Sequence, residues 1–177
     1  RASICDRPRN RALLGSPAKI VTPPPFLPLN TSPLPITPLA AGREVPHLVA
    51  GMHLFKPVPL RQLVEVVTGL ATDAATADSI AATAVDWGKQ PVRATSTPGF
   101  IVNRCARSFY GDALRVLAER AADAATIAAI SRSAGRFPTG AFHLMPLHAT
   151  DLHLPLTHTS GALLYHATTY RTTGALP

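Results

Sequence analysis

The stretch Gly51–Val67, GMHLFKPVPLRQLVEVV, constrains this chain more than any other, because it sets a histidine and a carboxylate at mirrored positions around a proline turn. Leu48–Phe55 is apolar and strand-like, Lys56–Arg61 carries Pro57 and Pro59, and Leu63–Val67 is rich in valine, which reads as strand, turn, strand. If the strands fold back about Pro59, His53 and Glu65 lie equally far from the centre and become cross-strand partners, with Cβ atoms roughly 5 Å apart. A carboxylate at that range would hold one imidazole nitrogen, fix the tautomer and leave the other nitrogen to act as a base. The same pairing also suits a buried histidine that merely satisfies its neighbour, and the residues alone leave both readings open.

The rest of the composition narrows the classes. At 177 residues and 46% hydrophobic content the chain can bury a core. Its net charge of +7 comes from few acids and an excess of arginine over lysine. Those arginines are scattered rather than gathered in a stripe, which argues against nucleic acid and leaves room for an anionic ligand. Cys5 and Cys105 stand in no disulfide or metal spacing, which fits a reducing, cytoplasmic setting. No apolar run approaches the roughly 20 residues that span a bilayer, so no membrane partner is expected. The start, RASICDRPRNR, has no signal-like apolar segment and no initiating methionine, so the chain is expected to begin inside a longer reading frame.

Taken in order, residues 6–16 predict a short helix with Leu13 and Leu14 inward. Over Ile20–Leu29 the prolines at 23, 24, 25 and 28 remove backbone donors and favour an irregular connection over a polyproline recognition segment. Asn30, Thr31 and Ser32 precede Pro33 and LPITPLAA, a cap followed by a short helix. Asp73–Trp87 predicts a helix with Ile80, Ala84 and Trp87 on one face, ending before Gly88, and Lys89–Ala94 a strand. Phe100–Arg120 reads as one amphipathic helix with Ile101, Cys105, Phe109, Leu114 and Leu117 inward, and Asp123–Ala134 as another, closed by Gly135. The architecture is therefore expected to be α/β over residues 1–96 and all-α over residues 97–177. His143, His148, His153 and His158 recur every five residues, a spacing that stacks ligands on no helix face, so no metal site is expected.

Four blocks, NTSPLPIT, GMHLFKPVPLRQLVEVV, the glycine-ended helix with GKQPV after it, and TPGFIVNR, together resemble the NAD-dependent L-3-hydroxyacyl-CoA dehydrogenases, including their 3-hydroxybutyryl-CoA dehydrogenase branch. The likeness is dense from Asn30 to Arg104 and fades after Gly140. It implies the C-terminal part of a Rossmann-type dinucleotide-binding domain followed by a helical domain through which a homodimer forms. The resemblance further implies NAD as cofactor, an acyl-CoA substrate, and reversible oxidation of L-3-hydroxyacyl-CoA to 3-ketoacyl-CoA, in the setting of fatty-acid β-oxidation. Carried over, His53 is the catalytic base, Glu65 its partner, Asn103 a substrate-positioning residue with a catalytic part, and Ser32 a donor near the reacting oxygen.

The departures from the family pattern are specific. A dinucleotide site uses a G-x-G-x-x-G turn so that amides can approach the pyrophosphate, and no two glycines here stand two residues apart. The chain is thus expected to hold about half of the dinucleotide domain and to turn over weakly by itself; the alternative to an enzyme is a non-catalytic remnant that keeps the pair and the helical domain. Lys56 stands where the family has an asparagine on the nicotinamide side, Pro33 replaces a serine, and His143 replaces an acid.

Overall fold

The computed structural model describes residues 26–30, 34–41 and 43–142. By its contacts the chain forms two compact units, Arg1–Ile101 and Val102–Pro177. The expected helix at 6–16 and the histidines at 143, 148, 153 and 158 lie outside the described residues.

Among its described residues the first unit holds a four-stranded sheet in the order β1-β2-β3-β4. Its strands are β1 (Leu27–Leu29), β2 (Val49–Leu54), β3 (Leu63–Thr68) and β4 (Gln90–Thr95). Only the β2/β3 pair is antiparallel; β1 runs parallel to β2, and β4 parallel to β3. The parallel β3/β4 step is made by helix α2 (Ala74–Asp86), the crossover that parallel neighbours require. Helix α1 (Ile36–Ala40) and a 3-10 turn, Pro46–Leu48, connect β1 to β2.

Alternation along the strands divides the apolar residues between two faces. Ala50 and Met52 of β2 and Val64 and Val66 of β3 point to α2, where Ala77, Ile80 and Ala84 complete one buried cluster. Val49 and Val67 point the other way, to Ile36 and Ala40 of α1 and to Phe100. Each large side chain removed from water in this way contributes about 1.5–3 kcal/mol relative to exposure. Gly51 lies in β2 on the α1 side, and a Cβ there would stand 2.9 Å from Val67 Cβ and 3.0 Å from Ile36 Cδ1. A glycine is what allows α1 to sit on the sheet.

Several expectations need correction. Leu27–Leu29 is a strand rather than an irregular connection, because it pairs on one side only among the described residues, where proline's missing donor costs no ladder bond. At the start of helix α1 the N-cap residue is Pro35, which offers no side-chain cap, and the first amide, Ile36 N–H, donates to Ser96 Oγ at 2.7 Å; Thr31 and Ser32 lie outside the described residues. Helix α2 matches its expected span, with Asp73 and Trp87 at its ends, but Trp87 is 58% exposed, since the chain turns away there through Gly88 in the left-handed region.

In the second unit, helix α3 spans Val102–Ala118 and α4 spans Ala124–Ser133. Tyr110, Ala113, Leu114, Ile127 and Ala141 form its core, with Ala106, Phe109 and Leu117 packed against it. The stripe facing this core therefore runs 106, 109, 110, 113, 114, 117, which keeps Phe109, Leu114 and Leu117 of the expected face and leaves out Ile101 and Cys105. Ile101 and Cys105 are exposed: Ile101 belongs to the turn before α3, and Cys105 falls beside the stripe that faces the core. Asp123 caps α4, accepting from Thr126 N–H at 2.7 Å, and the backbone hydrogen bond holds its carboxyl below its ordinary value of 3.8. A carboxyl so lowered adds stability that is present above 3.8 and is lost as the pH falls through the lowered value.

The Gly51 contact gives a direct stability test. Gly51→Ala should cost about 1–3 kcal/mol by urea denaturation, as expected for overpacking a filled site. A change within ±0.5 kcal/mol would show that α1 can move off the sheet at no cost.

Candidate functional site

The β2/β3 ladder pairs Gly51 with Val67, Met52 with Val66, His53 with Glu65 and Leu54 with Val64, so each pair is symmetric about Pro59. The turn that sets this register is pinned from outside, because Lys89 Nζ donates to the Val58 carbonyl at 2.7 Å and to the Arg61 carbonyl at 3.0 Å. A slip of one residue would move His53 and Glu65 to opposite faces and break the valine core with them.

On the α1 side of the sheet His53 Nδ1 lies 2.5 Å from Glu65 Oε2. Both residues are buried, His53 at 5% exposure and Glu65 at 1%. A carboxylate accepts only, so the Nδ1 that faces it carries the proton and Nε2 is the ring nitrogen Glu65 does not engage. The second carboxylate oxygen, Oε1, accepts from the Ile101 backbone N–H at 2.9 Å. Glu65 is thus tied to the strand opposite through one oxygen and to the chain after β4 through the other.

Two rings frame the imidazole. Phe55, two residues on from His53, stands with its centroid 4.5 Å away at 54°, and Phe100 stands 5.7 Å away edge-on at 66°. Such contacts restrict rotation of the imidazole and keep water from the Nδ1–carboxylate bond, which strengthens it. Phe100 is 2% exposed and has φ 49°, a left-handed conformation that costs a bulky residue about 1–2 kcal/mol. Its burial among Ile36, Ala40, Val49 and Val67 offsets that cost.

Of the residues singled out from the sequence, the structure brings His53 and Glu65 together. Lys56 is exposed in the turn after β2. Ser32 lies outside the described residues, and Asn103 is half-buried in the first turn of α3, in the second unit. The sequence reading missed Phe55, Phe100 and the Ile101 amide. Phe55 was within reach, since alternation puts residues 53 and 55 on one face; the amide was not, because a main-chain donor leaves no trace in residue type. Among the described residues no group of three or more histidine, cysteine or acidic side chains could hold a metal ion. No helix among them is long and apolar enough to cross a membrane. A buried imidazole with a fixed tautomer and a carboxylate counterion can take a proton from a hydroxyl and return it.

Removal of the carboxylate tests this arrangement. Glu65→Ala leaves the buried His53 Nδ1–H without its acceptor, at about 1–3 kcal/mol, and takes the acceptor of the part-buried Ile101 N–H as well, so it should lower the thermal midpoint more than Glu65→Gln, which keeps the shape and one acceptor. Equal midpoints for the two variants would mean that Glu65 is not the acceptor for both.

Comparison with known proteins gives consistent matches. The family model for the 3-hydroxyacyl-CoA dehydrogenase NAD-binding domain matches residues 10–97, and that for the C-terminal domain of the same enzymes matches residues 99–173. A 3-hydroxyadipyl-CoA dehydrogenase of Escherichia coli (strain K12) is 44% identical over 147 residues, which cover 83% of this chain and 31% of the relative. A probable 3-hydroxybutyryl-CoA dehydrogenase of Bacillus subtilis (strain 168) is 36% identical over 138 residues, covering 78% of this chain and 48% of the relative. The crystal structure of 3-hydroxybutyryl-CoA dehydrogenase from E. coli K12 superposes with a TM-score of 0.90 at 38% identity, over 96% of this chain and 36% of that one. The chain thus spans less than half the length of each of these three proteins.

Proposed function

This chain belongs to the 3-hydroxyacyl-CoA dehydrogenase family, and from that premise we propose that it serves the NAD-linked, reversible oxidation of a 3-hydroxyacyl-CoA to the 3-ketoacyl-CoA. The observation that carries the proposal is the buried 2.5 Å contact between His53 Nδ1 and Glu65 Oε2. Oxidation of a secondary alcohol removes a proton from oxygen and a hydride from carbon. NAD, when bound, accepts the hydride.

The proton is the part these residues manage. His53 takes it at Nε2, and Glu65 balances the charge of the imidazolium across Nδ1. In the reverse direction the same imidazolium returns it to the carbonyl oxygen. We assign Ser32 as a donor near the reacting oxygen and Asn103 as the residue that orients the acyl-CoA. Lys56 is assigned to the nicotinamide side, where an exposed ammonium after β2 also suits an anionic ligand. Of the cofactor-facing residues the likeness implies, this chain has Lys56 at the nicotinamide side. It does not supply a glycine-rich turn for the pyrophosphate, since the 177 residues contain no G-x-G-x-x-G. We propose residues 1–96 as the dinucleotide-binding part and 97–177 as the helical part; homodimerisation through the helical part, a cytoplasmic setting and a role in β-oxidation complete the reading.

His53→Gln tests the assignment of the base. In a complete version that carries the glycine-rich turn, turnover of 3-hydroxybutyryl-CoA with NAD, followed by NADH absorbance, should fall by about 10²–10⁴-fold, the usual share of general acid–base catalysis. Near-parental turnover would remove His53 from the mechanism. Calorimetric titration of this chain with NAD should show binding weaker than micromolar, as the missing glycine turn implies; micromolar affinity would mean that the pyrophosphate is held without one.

A further inference from the structure

We infer that Phe100 is a positioning residue for the His53–Glu65 pair and acts through its left-handed backbone, which aims the Ile101 amide at the carboxylate; the inference rests on the reading of that pair as the proton-transfer site. Gly99 and Phe100 both have positive φ, 72° and 49°. Glycine adopts that region freely, but phenylalanine rarely does, and strain of this kind is kept where the surroundings over-determine it. Here the surroundings are the apolar cluster that buries the Phe100 ring to 2% exposure.

Two successive left-handed residues turn the chain sharply as it leaves β4, after the Phe100 amide has bonded back to the Thr97 carbonyl at 3.0 Å. The next amide, Ile101 N–H, then points at Glu65 Oε1 at 2.9 Å. Because Oε2 of the same carboxylate faces His53 Nδ1, the Ile101 bond sets the rotation of the carboxyl group about its own axis. With Phe100 in an ordinary right-handed or extended conformation, the Ile101 N–H would point elsewhere, and Glu65 would lose the contact that keeps Oε2 on the imidazole. The edge of the Phe100 ring, 5.7 Å from the imidazole centroid, ties the same residue to both members of the pair.

Backbone and packing roles make opposite predictions for two substitutions. Phe100→Gly removes the whole ring but accepts the left-handed turn, whereas Phe100→Val keeps more apolar bulk and strongly disfavours it. The full chain, labelled with 15N-histidine, is observed at low temperature through the downfield proton resonance of His53 Nδ1–H, with far-UV circular dichroism as a control for folding. We expect Phe100→Gly to retain the resonance and Phe100→Val to lose it, with kcat following the same order and KM little changed. The reverse order, or retention by both, would overturn the inference while leaving the pair intact. If Phe100→Val does not fold, the glycine variant decides alone: retention supports the backbone role, and loss overturns it. Absence of the resonance in the parent chain would instead refute the pair, and the inference with it.

Discussion

A carboxylate and an imidazole held 2.5 Å apart on the α1 side of the sheet set the terms for the rest of the first unit. Burying either group alone would be costly, since each has polar atoms that water would otherwise satisfy. Burial is tolerable here because the pair is satisfied mutually and from the main chain, through the Ile101 amide. The requirement reaches outward from there: the β2/β3 register must be symmetric about Pro59, the turn must be pinned, and the segment after β4 must return to the sheet.

The fold meets these demands with its apolar residues. Valine on alternate positions of β3 serves two clusters, and Glu65 sits between Val64 and Val66 on the face opposite theirs, in line with Val67. The dyad therefore shares its face with the α1 contact. Gly51 and Gly69 keep that contact close: a Cβ at Gly69 would stand 3.2 Å from both Ile36 Cγ2 and Thr37 N. The Thr37 hydroxyl accepts from Leu70 N–H at 3.1 Å, and the Thr72 hydroxyl donates to the Val49 carbonyl at 2.6 Å, so the loop after β3 is laced to α1 and to the start of β2. A laced, glycine-fitted face holds the His53–Glu65 pair in one orientation, which is what the proposed proton transfer needs.

How much of this was legible in the sequence varies with the physical cause. The hairpin and its His53–Glu65 pairing could be read because strand periodicity and a proline turn are local signals, and mirrored positions about one residue leave a single register. The spans of α2 and α4 followed from Asp73 and Asp123 at their starts and from Gly88 and Gly135 beyond their ends. What escaped was tertiary. The amide of α1 is capped by Ser96, 60 residues away, and the carboxylate is oriented by a backbone amide 36 residues away. Ile101 misled because Phe100 ends a turn rather than starting α3, so Ile101 precedes the helix, whereas Phe109, Leu114 and Leu117 do face its core. The roles of Ser32, Asn103 and Lys56 came from family likeness, not from a local pattern.

The central claim is a division of labour within one ring, with Nδ1 held by Glu65 and Nε2 meeting the substrate oxygen. It is tested most directly by 15N resonances of His53 in the labelled chain as acetoacetyl-CoA is added together with NAD. The account predicts that Nε2 shifts on binding while Nδ1 keeps its protonated, hydrogen-bonded resonance. A shift at Nδ1 with Nε2 unmoved, or no change at either nitrogen under saturating ligand, would contradict it.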